Sequence, residues 1–435
     1  MYINVLGAGL AGCEAAFQIA KRGVRVRLFE MKPSKMTPAH KSAGFCELIC
    51  SNSLKAARID SAAGLLKEEM RRLDSLLMRC ADKCSVPAGG ALAVDRDEFS
   101  KMVTAAIKAD PLIEVIEAEA LDIPRDSITI VATGPLTSDA LAEKIIAMCG
   151  GSLHFFDAAA PIVTAESIDM SCAFTASRYD KGGDDAYINC PMNKEEYEAF
   201  HRELVNAERA PRHDVDVMNP KVYEGCMPVE ILAQRGLDTL RFGPMKPVGL
   251  RDPKTGHRPW AVLQLRSENS ERTMFNLVGF QTNLKFPEQK RVFGMIPALK
   301  NAEYVRFGVM HRNTFLDSPR LLNGDFSMKT DPNIFFAGQM TGVEGYMESA
   351  SSGLIAGINA VKRLNGSDTV VLPAVTMIGA LSRYISDETV KDFQPMGANL
   401  GILPPLDEHI RDKRLRAAAH AERSLDEIEK LLCSI

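Results

Sequence analysis

The chain has 435 residues, 46% hydrophobic and 25% charged, with a formal net charge of −4. This is the profile of a soluble globular protein with room for two domains, and the whole-chain charge gives no hint of nucleic acid. No apolar run is long enough to span a bilayer, and Asn4 and Glu14 break the N-terminal apolar stretch, so neither a membrane protein nor a signal peptide is expected and the location reads as cytoplasmic.

Residues 2–6 read as a short apolar strand. A glycine turn follows, Gly7-Ala8-Gly9-Leu10-Ala11-Gly12, then a helix to Arg22 and a strand over 24–29 that ends in Glu30. This is a dinucleotide-binding βαβ unit in its full setting. Gly7 permits the tight turn, Gly9 lets the backbone approach a pyrophosphate, and Gly12 lets the helix pack close to the strand. Glu30 is placed to accept from a ribose hydroxyl, and the helix N-terminus offers free N–H groups to the phosphates. Residues 35–53 read as a loop. Leu65, Leu66, Met70, Leu73, Leu76 and Leu77 recur at a helical period over 62–84. Residues 86–92 read as a turn, 97–108 as a helix and 113–118 as a strand. Residues 127–132 read as a buried strand ending in Thr133-Gly134-Pro135.

Near residue 150 the pattern changes to irregular strands with more Pro and Arg. A strand over 305–310 is expected to place His311 and Arg312 at its end. Trp260, the only tryptophan, reads as a core residue. Residues 333–336 are again a buried strand, ending in Ala337-Gly338-Gln339. A Gly/Ser-rich loop and a small-residue helix over 353–364 follow, and 371–433 reads as mostly helical. The expected fold is α/β: an FAD-binding Rossmann-type (glutathione-reductase-like) domain built discontinuously from 1–150 and 326–435. An inserted α+β domain over 151–325 takes the substrate.

Three strand ends converge on one cofactor, at Gly9, Gly134 and Gly338. The late Ala-Gly turn joined to a new helix resembles the second pyrophosphate contact of FAD proteins, which a plain NAD dehydrogenase does not need. Ten cysteines occur without a CxxC pair, so neither a metal site nor a disulfide scaffold is expected, and most should be buried free thiols. Residues 209–312 carry 17 Lys/Arg against 10 Asp/Glu, a local excess of 7 positive charges. That excess suits either a phosphate-facing surface or ordinary solvated side chains.

Further motifs carry a resemblance that runs in order along nearly the whole chain. His40-Lys41 and residues 46–54, 64–71 and 87–96 resemble the folate- and FAD-dependent tRNA (uracil-5-)-methyltransferases. So do residues 223–230, 310–314, 338–346 and 393–396. The chain departs from the family at Gly397-Ala398-Asn399-Leu400, where an Asn-rich run is more usual, and at residues 42–46.

The resemblance implies C5 methylation of a tRNA uridine, in the T-loop, with methylenetetrahydrofolate as carbon donor, reduced FAD as reductant and NAD(P)H as the electron source. Its two catalytic cysteines map onto Cys50 and Cys226. Cys226 is expected as the nucleophile at C6 and Cys50 as its partner near the flavin, although the order is open. FAD is expected on Gly7, Ala8, Gly9, Leu10, Ala11, Gly12, Glu30, Gly134, Gly338 and Gln339. His311, Arg312, Glu344 and Tyr346 are candidate substrate contacts. tRNA and folate are the expected partners, without a metal or a membrane; the oligomeric state is open. Two alternatives stay in view: methylation of a ribosomal RNA uridine, and the related flavin-dependent modification of the wobble uridine. Proteins of the second kind normally carry a long helical extension, which a chain ending at Ile435 is not expected to hold.

Overall fold

The computed structural model describes residues 1–37, 39–150, 153–158, 160–180, 187–210, 227–269, 271–390 and 393–432. Its central sheet has five parallel strands in the spatial order Ile334–Phe336, Thr129–Val131, Tyr2–Leu6, Arg25–Phe29, Ile113–Ile116. In chain order this is 5-4-1-2-3, the dinucleotide-binding arrangement, in which the first strand lies at the switch point. The central strands are short apolar runs because both faces are covered: Ile3, Val5, Ile130 and Phe335 are fully buried. The strand nearest the C-terminus completes the same sheet as the N-terminal strand.

The helix that follows the first strand, Leu10–Lys21, packs along the long helix Tyr346–Leu364. Small residues permit this. A Cβ on Gly353 would overlap the Ala11 carbonyl oxygen, and one on Gly357 would lie 2.8 Å from the Ala15 oxygen.

Residues 162–306 build a second sheet of six antiparallel-paired strands. Its order is Phe174–Thr175, Tyr187–Met192, Ala261–Ser267, Met274–Leu277, Ile162–Thr164, Tyr304–Arg306. Its two faces differ. Val163, Leu263, Leu265, Phe275 and Leu277 join an apolar core with the helix Lys194–Asn206. Arg266 and its cross-strand neighbour Asn276 lie on the other face, in one row with Ile162 and Arg306. That core, drawn from residues 163–299, is separate from the one drawn from 3–145 and 315–428. The chain ends thus share one core and the middle has its own; Phe315, Leu316 and Leu322 already belong to the first, ahead of the boundary expected at 326.

Several sequence expectations need correction. The helical period over 62–84 is two helices, Ala62–Arg72 and Leu76–Lys83. Between them Asp74 takes a left-handed conformation (φ 58°), and Ser75 caps the second helix by accepting from the Met78 N–H. The buried Glu14 carboxylate accepts from Leu76, Leu77 and the Ser75 hydroxyl, which fixes the break. Strands Ser85–Val86 and Ala91–Val94 flank the expected turn over 86–92. His311 and Arg312 do not end a 305–310 strand. They lie within a later strand, Met310–Phe315, paired with Leu153–Ala158. The apolar run misled because Gly308 separates two strands that belong to different sheets. Trp260 is not core: the residue is 36% exposed, and its ring lies under the Arg241 guanidinium at 3.8 Å. The region 371–433 holds two helices, Met377–Ser386 and Lys413–Leu431, joined by largely irregular chain.

Gly353→Ala is expected to destabilise the fold by about 1–3 kcal/mol through overpacking, a melting-temperature loss of several degrees. Gly90→Ala, where a Cβ meets nothing, is expected to shift it by less than about one degree. Equal melting temperatures for the two variants would contradict the packing account.

Candidate functional site

The nucleotide cradle follows from the first turn. Gly7 sits at φ 96°, and a Cβ there would lie 2.8 Å from the Ala132 oxygen and the Thr133 Cα. A Cβ on Gly12 would overlap the Gly7 carbonyl, so the helix rests directly on the turn. Around Gly9 a Cβ would meet nothing within 4 Å. That open backbone at the N-terminus of the helix Leu10–Lys21 is where an anionic group can approach.

Glu30 is 7% exposed and closes the cradle. One carboxylate oxygen accepts from the Ala8 N–H at 2.9 Å and the other from the Lys32 N–H at 3.0 Å. A carboxylate has about four acceptor positions, so both oxygens keep capacity for hydroxyl donors. The cleft here is lined by Gly7, Gly9, Glu30, His40, Ala118 and Thr133 among others.

The other two strand ends meet the same edge. Gly134 (φ 69°) follows the strand Thr129–Val131. Gly338 (φ 85°) follows Ile334–Phe336, and its N–H donates to the Ser352 hydroxyl at 2.7 Å. A Cβ on Gly338 would lie 3.2 Å from the Ala11 Cβ, so this turn is pressed against the first helix. The Gln339 amide donates to Glu344 at 2.8 Å, which stiffens the loop before the long helix. The helix then begins at Tyr346, earlier than the 353 expected from sequence.

Tyr346 reaches Cys50. Its hydroxyl oxygen accepts from the Cys50 N–H at 2.8 Å and the Ser51 N–H at 3.2 Å, and it lies 3.0 Å from the Cys50 Sγ. A hydroxyl has two acceptor positions and one proton. With both acceptor positions filled, its proton is left for the sulfur. Burial, then the neighbouring Cys50, push the Tyr346 hydroxyl well above the usual tyrosine range, so it keeps that proton. Cys50 is partly exposed, whereas Cys46, four residues earlier, is buried and its thiol is pushed well up, chiefly by burial. Cys46 is therefore a packing residue and Cys50 is the accessible thiol of this loop.

Four residues not among the expected site residues hold the Cys50 loop, although Asn52 and Arg96 lie within the motifs that carry the resemblance. Arg96 donates to the Leu48 and Ile49 carbonyls at 2.7 and 3.3 Å and pairs with Glu268 at 2.6 Å. Arg266 donates to Asn52 Oδ1 at 2.9 Å and to Ser51 Oγ at 2.6 Å. The Asn52 amide donates to the Val94 and Ser267 carbonyls. One signal was available: Arg266 and Glu268 follow a segment, 261–265, that is apolar but for Gln264, and charges at the end of a buried strand need partners.

Among the sequence candidates, the structure therefore brings together Cys50, Tyr346, Glu344 and Gln339 on one side and the glycine cradle with Glu30 on the other. Cys226 lies outside the described residues, as do the side chains of His311 and Arg312. Among the described residues no group of three His, Cys, Asp or Glu could hold a metal ion, and no helix is long and apolar enough to cross a membrane.

This architecture has known counterparts. The family described as glucose inhibited division protein A matches residues 2–368. The chain is 63% identical to the methylenetetrahydrofolate–tRNA-(uracil-5-)-methyltransferase TrmFO of Acetivibrio thermocellus, covering 98% of this chain and 97% of that one. It is 56% identical to the protein of the same name from Lactobacillus gasseri, again over 98% and 97%. In structure it is similar to Aquifex aeolicus GidA, with a TM-score of 0.72 and 16% identity over 99% of this chain and 73% of that chain.

Tyr346→Phe removes the acceptor of two backbone N–H groups. Amide hydrogen exchange at Cys50 and Ser51 is expected to speed up about tenfold or more, from a local cost of ~1–3 kcal/mol. Unchanged protection at both amides would show that the tyrosine does not hold this loop.

Proposed function

Because the chain belongs to the methylenetetrahydrofolate–tRNA-(uracil-5-)-methyltransferase family, and to the wider glucose inhibited division protein A family, we propose that it methylates C5 of a uridine in tRNA, in the T-loop. The observation that carries this reading is the identity to such enzymes along nearly the whole length of both chains. Methylenetetrahydrofolate supplies the carbon, and FAD reduced by NAD(P)H supplies the two electrons that take it to the methyl level. The residues present fit FAD: an open backbone approach at Gly9, a buried Glu30 with spare acceptor capacity, and a second small-residue turn at Gly338. Gly7, Ala8, Gly9, Leu10, Ala11, Gly12 and Glu30 would hold the adenosine half and its phosphates. Gly134, Gly338 and Gln339 would hold the remainder.

The chemistry dictates what the side chains do. C5 of uracil becomes nucleophilic only after a nucleophile adds at C6, and the C5 proton must then leave to a base. In our reading the Cys226 thiolate adds at C6 and Cys50 takes part in removing the C5 proton. The contact with Tyr346 supports the second assignment, since a sulfur that receives a hydroxyl proton has acceptor character. Glu344 and Tyr346 act first as parts of the loop, Glu344 held by Gln339 and Tyr346 bound to the Cys50 backbone. His311 and Arg312 remain candidates for substrate contact.

tRNA would reach beyond the nucleotide-binding half. Arg251, Lys254 and Arg258 are exposed on one Pro/Gly-rich loop of the inserted part, where the local charge is positive. Phosphate contacts from such a loop would make binding strongly salt-dependent.

Cys226→Ala is expected to abolish transfer of label from methylenetetrahydrofolate to tRNA while the purified protein keeps its FAD. Near-normal transfer would move the nucleophile elsewhere, first to Cys50. Charge reversal of Arg251, Lys254 and Arg258 together is expected to weaken tRNA binding and flatten its salt dependence. Flavin reduction by NAD(P)H should be unaffected. Equal affinities and equal salt slopes for wild type and variant would remove this loop from the RNA surface.

A further inference from the structure

The pair Arg96–Glu268 is buried, with side-chain exposures of 13% and 3%, and joins the nucleotide-binding half to the inserted sheet. It is also incompletely satisfied. Arg96 Nη2 and Glu268 Oε1 have no hydrogen-bond partner among the described residues. Taking such a pair from water costs several kcal/mol, and unpaired polar atoms add to that cost. Apolar side chains of similar size would give equal rigidity more cheaply. The pair is therefore best explained by its effect on a neighbour.

That neighbour is Cys50. Arg96 holds the carbonyls of Leu48 and Ile49 on one side, and Arg266 holds Ser51 and Asn52 on the other. The charge of Arg306, on the edge strand of the same sheet, also acts on Cys50. Among the described residues, Arg96, Arg306 and Tyr346 act electrostatically on Cys50; Glu268 is tied to this cluster through Arg96, and Arg266 through the loop atoms of Ser51 and Asn52. The charged side chains among the described residues that act on the sulfur are the cations Arg96 and Arg306, and the Tyr346 hydroxyl lies 3.0 Å from it.

We propose that Arg96, Arg266 and Glu268 are positioning residues that set the charge state of Cys50. The arginines favour the anionic sulfur, and Glu268 orients Arg96 while offsetting part of its charge. The proposal rests on Cys50 being the reactive thiol of the reading above, but its test does not require methyl transfer.

The test is the pH dependence of iodoacetamide labelling at Cys50 in the full-length, FAD-loaded protein, read by peptide mass spectrometry. Arg96→Met is expected to raise the midpoint by about one pH unit, and Glu268→Gln to lower it. Arg96→Lys should restore most of the wild-type midpoint. Arg306→Gln carries the same expectation as Arg96→Met should that variant fail to fold. Midpoints that stay fixed, or that move in the same direction for Arg96→Met and Glu268→Gln, would overturn the proposal, because loosening the loop has no sign. If the midpoints separate as expected but Cys50→Ser still methylates tRNA at the wild-type rate, the field stands and the catalytic reading of Cys50 falls.

Discussion

The Ala11 carbonyl comes so near residue 353 that only glycine fits there, and the rest of the structure depends on that contact. It fastens the first helix to the long helix Tyr346–Leu364. Three consequences follow from one approach. The strand Ile334–Phe336 is drawn into the sheet that begins with Tyr2–Leu6. The Gly338 turn is pressed to the edge where Gly9 opens the cradle. Tyr346, the first residue of the long helix, is carried to Cys50. A larger residue at 353 would push the first helix and the long helix apart.

The second organising feature is a sheet with two unlike faces. One face of the inserted sheet is apolar and buries itself under helices. The other presents Arg266, Asn276 and Arg306 in one cross-strand row, and Arg266 reaches into the loop over 48–53. A period of two residues along a strand makes this possible: alternate positions stabilise the fold and serve the site. The Cys50 loop thus lies between a nucleotide-binding half and a polar wall supplied by the insertion. Its backbone is held from both.

Much of this was legible in the sequence, for identifiable reasons. Gly7 and Gly12 were readable because the tight turn and the helix resting on it leave no room for a Cβ at either position. The apolar strands were readable because a parallel sheet buries both faces. The failures are equally physical. The break between residues 72 and 76 is imposed by Glu14, sixty-odd positions away in the chain, which no local period reveals. The strand 310–315 is defined by its partner at 153–158. Trp260 looked like core because a lone tryptophan usually is, but its apolar ring is covered by an arginine instead. Arg96 and Glu268 became visible as a unit only in three dimensions, since 172 positions separate them.

The central claim is that this site delivers a methyl group to a tRNA uridine rather than to another RNA or another position. Its most direct test is to map 5-methyluridine in RNA from cells with and without the gene, and with the gene restored. The account predicts that 5-methyluridine disappears from the tRNA T-loop without the gene and returns with it, while the wobble uridine and ribosomal RNA are unchanged. Intact T-loop 5-methyluridine in the deletion, with loss of a modification at the wobble position or in ribosomal RNA, would contradict it.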